Sequence, residues 1–269
     1  MQLRDVALLE EARLRLGMSE IAMEHVPIAD GVATRGESGT WINSATGIGM
    51  AGPVTASDID RLIEFHRDWK AEPRIEVCPF ADKSLLEALK SRGFNLQFFE
   101  NTLFRDFSLP TPPAPPELPG LEIRTVDPTN PAQVREFATT ACIGFGPVGA
   151  TPRDEAIALA ERCATHPRSS AYTAYLGGLA VCAGALEVSG DIAALFGLSV
   201  LHDYRGRGIQ TAMITHRVMA ARERGAKVAT IGAAPGIGTE RNARRAGFQV
   251  AYTRVFMHLP GPGLEPARF

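Results

Sequence analysis

The sequence predicts an α/β protein (an α+β, mixed-sheet fold) with two domains in tandem, each a mixed central sheet flanked by helices. Three observations support this prediction. Prolines interrupt the chain near its middle, and both halves end in the same order of strand-like and helix-like segments. The second half also passes from hairpin-like strands to a strand, helix, strand, helix, strand series, which is typical of a sheet with antiparallel and parallel strands.

The proline-rich segment 109–120 marks the expected domain boundary. Its six prolines fix φ and remove backbone donors, so neither a helix nor a central strand can run through it. We therefore expect a first domain over residues 1–108, a linker over 109–120 and a second domain over 121–269. Each half has the usual size of one domain.

In the first half, the pattern predicts a strand over 74–78, a helix that begins after an N-cap at Asp82, a stop at Gly93 and a strand over 103–107. When Gly93 is placed on Gly247, a constant offset lays these elements on similar ones in the second half. The first half thus resembles a degenerate copy of the second.

The sequence of the second half predicts ten secondary-structure elements. Strands are expected at 121–126, 171–176, 180–188, 192–201, 227–231 and 250–257, and helices at 131–140, 153–164, 209–224 and 238–246. Glycine pairs or Gly-Asp turns separate the middle strands. The long helix is expected to bury a stripe made of Ile209, Met213, Val218, Met219 and Arg222.

The turn before this long helix carries the main functional signal. A strand runs into Arg205-Gly206-Arg207-Gly208, and the helix begins directly afterwards. Two glycines allow a tight fold with inward N–H groups, and the helix N-terminus adds a positive dipole end, so the turn suits a phosphate. Nine basic residues against two acidic ones between 205 and 245 reinforce the local positive charge.

The run 200–209, the following amphipathic helix, the strand near 228–231 and the Gly247-Phe248 pair together resemble the GNAT superfamily of acyl-CoA-dependent N-acyltransferases. The close resemblance covers about residues 192–257. It implies a tandem GNAT arrangement with a degenerate N-terminal half, in which only the second half binds acetyl-CoA. The implied reaction is acetyl transfer to the amine of a small molecule or peptide, by direct attack in a ternary complex, without a metal.

The resemblance also implies which residues contact acetyl-CoA. The turn would bind the pyrophosphate, the end of the preceding strand would pair with the pantetheine amides, and the Val200 N–H would polarise the thioester carbonyl. The implied cofactor-binding residues are Leu198, Ser199, Val200, Arg205, Gly206, Arg207, Gly208, Ile209, Gln210 and Asn242.

The family's usual proton-transfer positions hold alanines. The carboxylate position falls near Ala193 and Ala194, and the tyrosine position falls on Ala243. We therefore take Glu187 as the candidate base, with Asp191 as an alternative, and Tyr252 as the candidate acid. Water could also relay protons, since a thiolate is a good leaving group.

Other functions have weaker support. Residues 47–52 match the dinucleotide pattern Gly-x-Gly-x-x-Gly, but they follow a poor strand, and Pro53 delays the next helix. The four cysteines and six histidines lack metal-ligand spacing, and no hydrolase elbow occurs. A non-catalytic acyl-CoA-binding regulatory module remains an alternative to the acetyltransferase.

The charge balance bears on partners and location. With 28 Lys and Arg against 30 Asp and Glu, no overall positive field attracts nucleic acid or an anionic membrane. No apolar run approaches the roughly 20 residues of a membrane span, and charges interrupt the first ten residues. We expect a cytoplasmic protein, monomeric or homodimeric, whose acceptor amine the sequence does not identify.

Overall fold

The computed structural model describes residues 1–112 and 117–267. The chain forms two compact units. The first contains Met1–Thr102 and the chain from Ala251, and the second contains Leu103–Val250. The middle of the proline-rich segment, 113–116, lies outside the described residues.

The first unit is a mixed sheet with helices. Its elements are α1 (Leu3–Ile21), β1 (Glu24–Ile28), β2 (Gly31–Arg35), β3 (Ser44–Thr46), α2 (Ala56–Asp68), β4 (Arg74–Val77), α3 (Lys83–Ser91), the first part of β5 (Asn95–Asp106) and most of β11 (Gln249–His258). The strand order is β1-β2-β3-β4-β11-β5. The β1–β2, β2–β3 and β4–β11 pairs are antiparallel, and β3 and β4 are parallel.

Local sequence explains the helix starts in this unit. Thr55 and Asp58 form a capping box before α2, and the Asp82 side chain accepts from the Ser84 N–H at the start of α3. The predicted strand near 74–78 and the helix after Asp82 are confirmed. The strand predicted over 103–107 is wrong in its start, because β5 begins at Asn95. Polar residues interrupt the apolar pattern in the first part of β5.

The second unit contains the elements expected for the second half up to residue 246. They are β6 (Leu121–Thr125), α4 (Pro131–Phe145), α5 (Asp154–Thr165), β7 (Ser169–Leu176), β8 (Leu179–Ser189), β9 (Ile192–Val200), a 3-10 turn (His202–Tyr204), α6 (Ile209–Glu223), β10 (Val228–Ala233) and α7 (Gly238–Arg245). The order is β6-β7-β8-β9-β10, followed by the end of β5. Only β9 and β10 among β6–β10 are parallel within the described residues.

Helix α6 buries a different stripe from the predicted one. Its buried residues are Ile209, Met213, Ile214, Arg217, Val218 and Ala221. Met219 is 58% exposed and Arg222 is exposed, so the prediction is wrong for these two residues. Because each helical residue turns the chain by about 100°, both fall one position off the buried 3–4 spacing.

The last strand, β11, belongs mainly to the first unit. It pairs with β4 from Val255↔Val77 to His258↔Arg74, whereas the expected second domain includes the whole chain from 121 to 269. The compact units change at Thr102 and again at Val250, so they do not follow the linker in sequence. The domain boundaries drawn at the proline-rich segment stay a prediction.

Candidate functional site

A gap opens between the two central parallel strands of the second unit. Strand β9 pairs with β10 from Ile192↔Val228 to Leu195↔Ile231. In the part of the chain that the structure describes, this pairing does not continue from Phe196 to Val200, although β9 runs to Val200. One edge of β9 therefore offers backbone groups to a ligand.

A β-bulge coincides with the start of this gap. Ala185 pairs with Phe196 and Ala183 pairs with Ser199, so one residue of β8 lies opposite two residues of β9. The first of these two residues of β9, Gly197, has a φ of 61°, a backbone conformation that favours glycine. Because a bulge bends and twists its strand, it accounts for the departure of β9 from β10.

The turn beyond β9 ends at an uncapped helix N-terminus. Gly206 and Gly208 have φ values of 76° and 86°, and Gly208 is the N-cap of α6 without a side-chain cap. Among the described residues, the first backbone hydrogen bond of this helix start runs from the Ala212 N–H to the Gly208 carbonyl. The preceding N–H groups and the positive end of the helix dipole are therefore a candidate anion site.

The two arginines of the turn bind backbone carbonyl groups. The Arg205 guanidinium donates to the carbonyls of Val200 at 3.1 Å and Gly144 at 2.7 Å. His202 Nε2 lies 2.9 Å from the Gly146 carbonyl oxygen. These contacts fix the end of α4 beside the turn, while Arg207 donates to the Asp203 carbonyl at 3.0 Å.

Helix α4 packs closely on the last residues of β9. Ser199 Oγ donates to the Ala141 carbonyl at 3.0 Å, and a Cβ on Gly144 would lie 2.5 Å from Ser199 Oγ. Leu198 and Val200 are buried in the core on the α6 side. The side chains of these three predicted site residues are thus packed, and their backbone edge is the part available to a ligand.

The predicted residues Gln210 and Asn242 contact each other. Asn242 Nδ2 donates to Gln210 Oε1 at 2.6 Å, and Gln210 Nε2 donates to Thr239 Oγ1 at 2.9 Å. Arg245 Nη1 donates to Asn242 Oδ1 at 2.9 Å. This network joins the start of α6 to α7, and the cofactor contact of Asn242 stays a prediction.

The candidate base Glu187 lies on β8 opposite Ala194 of β9. Its side chain is buried, and Oε1 accepts from Arg168 Nη2 at 2.7 Å. Ala193 and Ala194 are also buried. The structure therefore places a carboxylate beside the alanines that occupy the family's usual base position, already engaged by an arginine.

The candidate acid Tyr252 belongs to the first unit, whereas the turn and β9 belong to the second. Its hydroxyl donates to Glu11 Oε1 at 2.8 Å. Burial, together with the Glu11 carboxylate, raises the pKa of Tyr252 well above its usual value. The hydroxyl stays protonated at neutral pH, and its catalytic role stays a prediction.

The glycine-rich segment 47–52 of the first unit binds one of the protein's own carboxylates. Asp30 accepts from the Gly49 N–H at 2.7 Å and from the Ala51 N–H. The next helix, α2, begins only at Ala56 and is capped by Thr55 and Asp58. The Gly-x-Gly-x-x-Gly segment thus follows a three-residue strand and does not open a helix, which disfavours a dinucleotide site.

The described residues contain no group of three or more His, Cys, Asp and Glu side chains that could hold a metal ion. No helix within the described ranges is long and apolar enough to cross a membrane.

Sequence reasoning missed Arg217, Gly184 and Gly144 in this region. It counted Arg217 only as part of the local positive charge, but the structure buries it in α6, where its guanidinium contacts β8 and β9. An arginine at the spacing of the buried stripe was the available signal. The glycines gave no signal, because their close contacts come from distant segments.

Comparison with known proteins finds one family-model match, which lies within the second unit. Residues 136–248 match the family model described as Acetyltransferase (GNAT) family. No curated protein matches the sequence.

Several solved structures share the fold. A GCN5-related N-acetyltransferase from Kribbella flavida is 18% identical over 93% of this chain and 96% of its own, with a TM-score of 0.69. A tandem GNAT protein from the clavulanic acid biosynthesis pathway is 13% identical over 86% and 79%, with a TM-score of 0.60. A putative GNAT acetyltransferase from Novosphingobium aromaticivorans is 15% identical over 92% and 96%, with a TM-score of 0.55. At these identities, the likeness shows the fold alone.

Proposed function

We propose that this chain is a member of the GNAT acetyltransferase family and an acetyl-CoA-dependent N-acetyltransferase whose second unit binds acetyl-CoA, on the match of residues 136–248 to the GNAT family model. One observation carries the proposal. The unpaired edge of β9 leads directly into a glycine turn and an uncapped helix N-terminus, so a ligand with an extended amide arm and a phosphate end fits both features.

The turn supplies the phosphate contacts. Backbone N–H groups from Gly206 to Gln210 and the dipole of α6 stabilise the negative charge of the pyrophosphate. Arg205 and Arg207 add positive charge nearby, although their guanidinium groups also bind backbone carbonyls. The expected cofactor contacts of Leu198, Ser199 and Val200 are made by their backbone, which pairs with the pantetheine amides. Asn242 and Gln210 support the same region from α7 and α6.

Acetyl-CoA would supply the activated acetyl group as a thioester. The chain positions the thioester along β9, and a backbone N–H on its open edge donates to the carbonyl oxygen as negative charge develops there. The amine nitrogen forms the new C–N bond, the C–S bond breaks, and coenzyme A leaves as a thiolate. Glu187 is the proposed acceptor of the amine proton and Tyr252 the proposed donor to the thiolate, with water as the alternative for both.

The acceptor is proposed to be the amine of a small molecule or peptide. A location in the cytoplasm is part of the proposal, since the charge balance of the chain provides no overall positive field toward an anionic membrane. Monomer and homodimer both stay open.

We expect turnover to rise with pH toward the pKa of the acceptor amine. This expectation holds where water accepts the amine proton: the positions of Ala193, Ala194 and Ala243 offer no proton-transfer group, so the supply of neutral amine would then govern the rate, whereas a base at Glu187 would behave otherwise. The measurement is thiol release from acetyl-CoA with a panel of primary amines of different pKa. A pH profile that is the same for all of these amines would contradict this prediction.

Changing Glu187 to Gln tests the proposed base. We expect turnover to fall by about 100-fold or more, with acetyl-CoA affinity nearly unchanged, because a positioned proton acceptor typically contributes that much. Glu122→Gln is a matched control, since Glu122 is an exposed carboxylate that also pairs with an arginine, Arg124. A loss of less than about threefold would remove Glu187 from the mechanism.

A regulatory module that binds acyl-CoA without turnover is the second candidate. The buried alanines at the usual proton-transfer positions and the engagement of Glu187 by Arg168 favour it. Tight acetyl-CoA binding without thiol release for any amine in the panel would support this candidate over the acetyltransferase.

A further inference from the structure

Arg217 is a buried cation that packs against β9. Its side chain is fully buried in α6, and Nη1 donates to the carbonyls of Ala185 at 2.8 Å and Phe196 at 3.1 Å. Within the described ranges no carboxylate lies at ion-pair distance from it, and Nη2 has no hydrogen-bond partner. A buried charge without a counterion is costly, so its presence calls for an explanation.

The guanidinium lies at the β-bulge that opens the gap. Its two carbonyl partners, Ala185 and Phe196, are the residues paired at the edge of the bulge. Gly184 is the residue of β8 that lies opposite the two bulged residues of β9. It leaves room for the guanidinium, because a Cβ on Gly184 would lie 3.2 Å from Arg217 Cζ and Nη1. The bulge and the arginine therefore fit one another.

The peptide bond between Phe196 and Gly197 links the arginine to the gap. In a planar trans peptide the carbonyl of one residue and the N–H of the next point in opposite directions, and the described chain contains no cis peptide. Arg217 binds the carbonyl on the side of β8. The Gly197 N–H therefore points to the opposite side, where pairing of β9 with β10 has ended at Leu195.

We propose that Arg217 is a positioning residue for acetyl transfer, which holds the 196–197 peptide so that the Gly197 N–H donates to the thioester carbonyl oxygen. This inference rests on the proposed function. Val200 lies next to the phosphate turn, whereas the thioester is at the far end of the pantetheine arm. Gly197 lies three residues back along β9, about 10 Å, and so matches that end better.

The charge of Arg217 acts through the same peptide. Hydrogen bonds in a chain polarise one another, so a guanidinium on the carbonyl strengthens the N–H at the other end as a donor. Burial lowers the pKa of Arg217 to about 10, and the group is therefore still cationic at neutral pH. A fixed positive charge in a buried setting favours negative charge that develops nearby.

Infrared spectroscopy of bound acetyl-CoA labelled with ¹³C at the acetyl carbonyl tests this role. In the full-length wild-type chain we expect the carbonyl stretch to move to lower wavenumber on binding. Arg217→Met should lose about half of that shift or more, with acetyl-CoA affinity changed by less than about threefold and turnover lowered by about 100-fold. Purely structural damage would weaken affinity as well.

Two further variants and one control variant keep the test decisive. Gly184→Ala should displace the guanidinium and reduce the shift while the charge is retained, and Arg217→Lys should rescue part of it. Arg222→Met, which removes an exposed arginine from the same helix, should leave the shift intact. If Arg217→Met does not fold, Gly184→Ala and Arg217→Lys decide.

The outcomes separate this inference from the proposed function. Folded variants at Arg217 and Gly184 that bind acetyl-CoA with the full wild-type shift would overturn the role of Arg217 and leave the proposed function intact. A wild-type chain that does not bind acetyl-CoA would overturn both.

Discussion

Gly208→Asp is expected to weaken acetyl-CoA binding by at least about 100-fold. A carboxylate at the N-cap of α6 would accept from the N–H groups that we assign to the pyrophosphate. It would also repel the pyrophosphate: two like charges about 4 Å apart in a surface-like dielectric interact by about 4 kcal/mol, and each 1.4 kcal/mol is tenfold in affinity. Calorimetric titration with acetyl-CoA measures the effect.

Gly225→Asp is the matched control. Gly225 has a φ of 83° and Gly208 a φ of 86°, so an aspartate experiences similar backbone strain at either position. Gly225 lies just beyond the other end of α6, and a Cβ there meets no neighbour within 4 Å. Its variant should therefore retain affinity. Undiminished acetyl-CoA binding by Gly208→Asp would place the phosphate elsewhere.

In the first unit, side chains of the protein itself bind the backbone N–H groups of the glycine-rich segment and of the next helix start. The Asp30 carboxylate occupies the N–H groups of Gly49 and Ala51, and Thr55 with Asp58 caps the following helix. Internal side chains thus satisfy backbone donors that a phosphate would need. This contrast explains in physical terms why we assign acetyl-CoA to the second unit.

Much of the second unit could be predicted because its signals are local. Glycines separate β7, β8 and β9, and the positive φ values of Gly206 and Gly208 give the turn its glycine pattern. Helix α1 carried no such signal, since Glu10, Glu11 and Arg13 are among its buried residues. An amphipathic pattern is obscured when charged residues lie on the buried face.

The backbone features of the site could be predicted from the sequence better than its side-chain contacts could. Arg205 and Arg207 fit a phosphate motif, yet their hydrogen bonds run to the Val200, Gly144 and Asp203 carbonyls. Of these acceptors, the Gly144 carbonyl depends on packing between segments that are distant in sequence. For the same reason, the sequence did not reveal that Arg217 contacts the bulge of β9.

The largest stability effect is expected from Arg254→Met in the first unit. Arg254 is buried and donates to Glu11 at 3.0 Å and to Glu76 at 2.9 Å. Its removal leaves two buried carboxylates without their cation, and breaking a buried ion pair from one side typically costs about 3–5 kcal/mol. Urea denaturation at pH 8, followed by circular dichroism, measures the change in the free energy of unfolding.

The loss caused by Arg254→Met should shrink as the pH falls from 8 to 5. Burial raises the pKa of Glu76, and it raises the pKa of Glu100 from 4.5 to about 7. A carboxyl group whose pKa is higher in the folded state favours folding at low pH, and this contribution is lost as the pH rises through the folded pKa. Without Arg254 to oppose them, these shifts should grow.

Arg92→Met, which breaks an exposed pair with Asp60, should change stability little at either pH. An equal loss for Arg254→Met at pH 5 and pH 8 would show that protonation of these carboxyl groups does not relieve the buried charge.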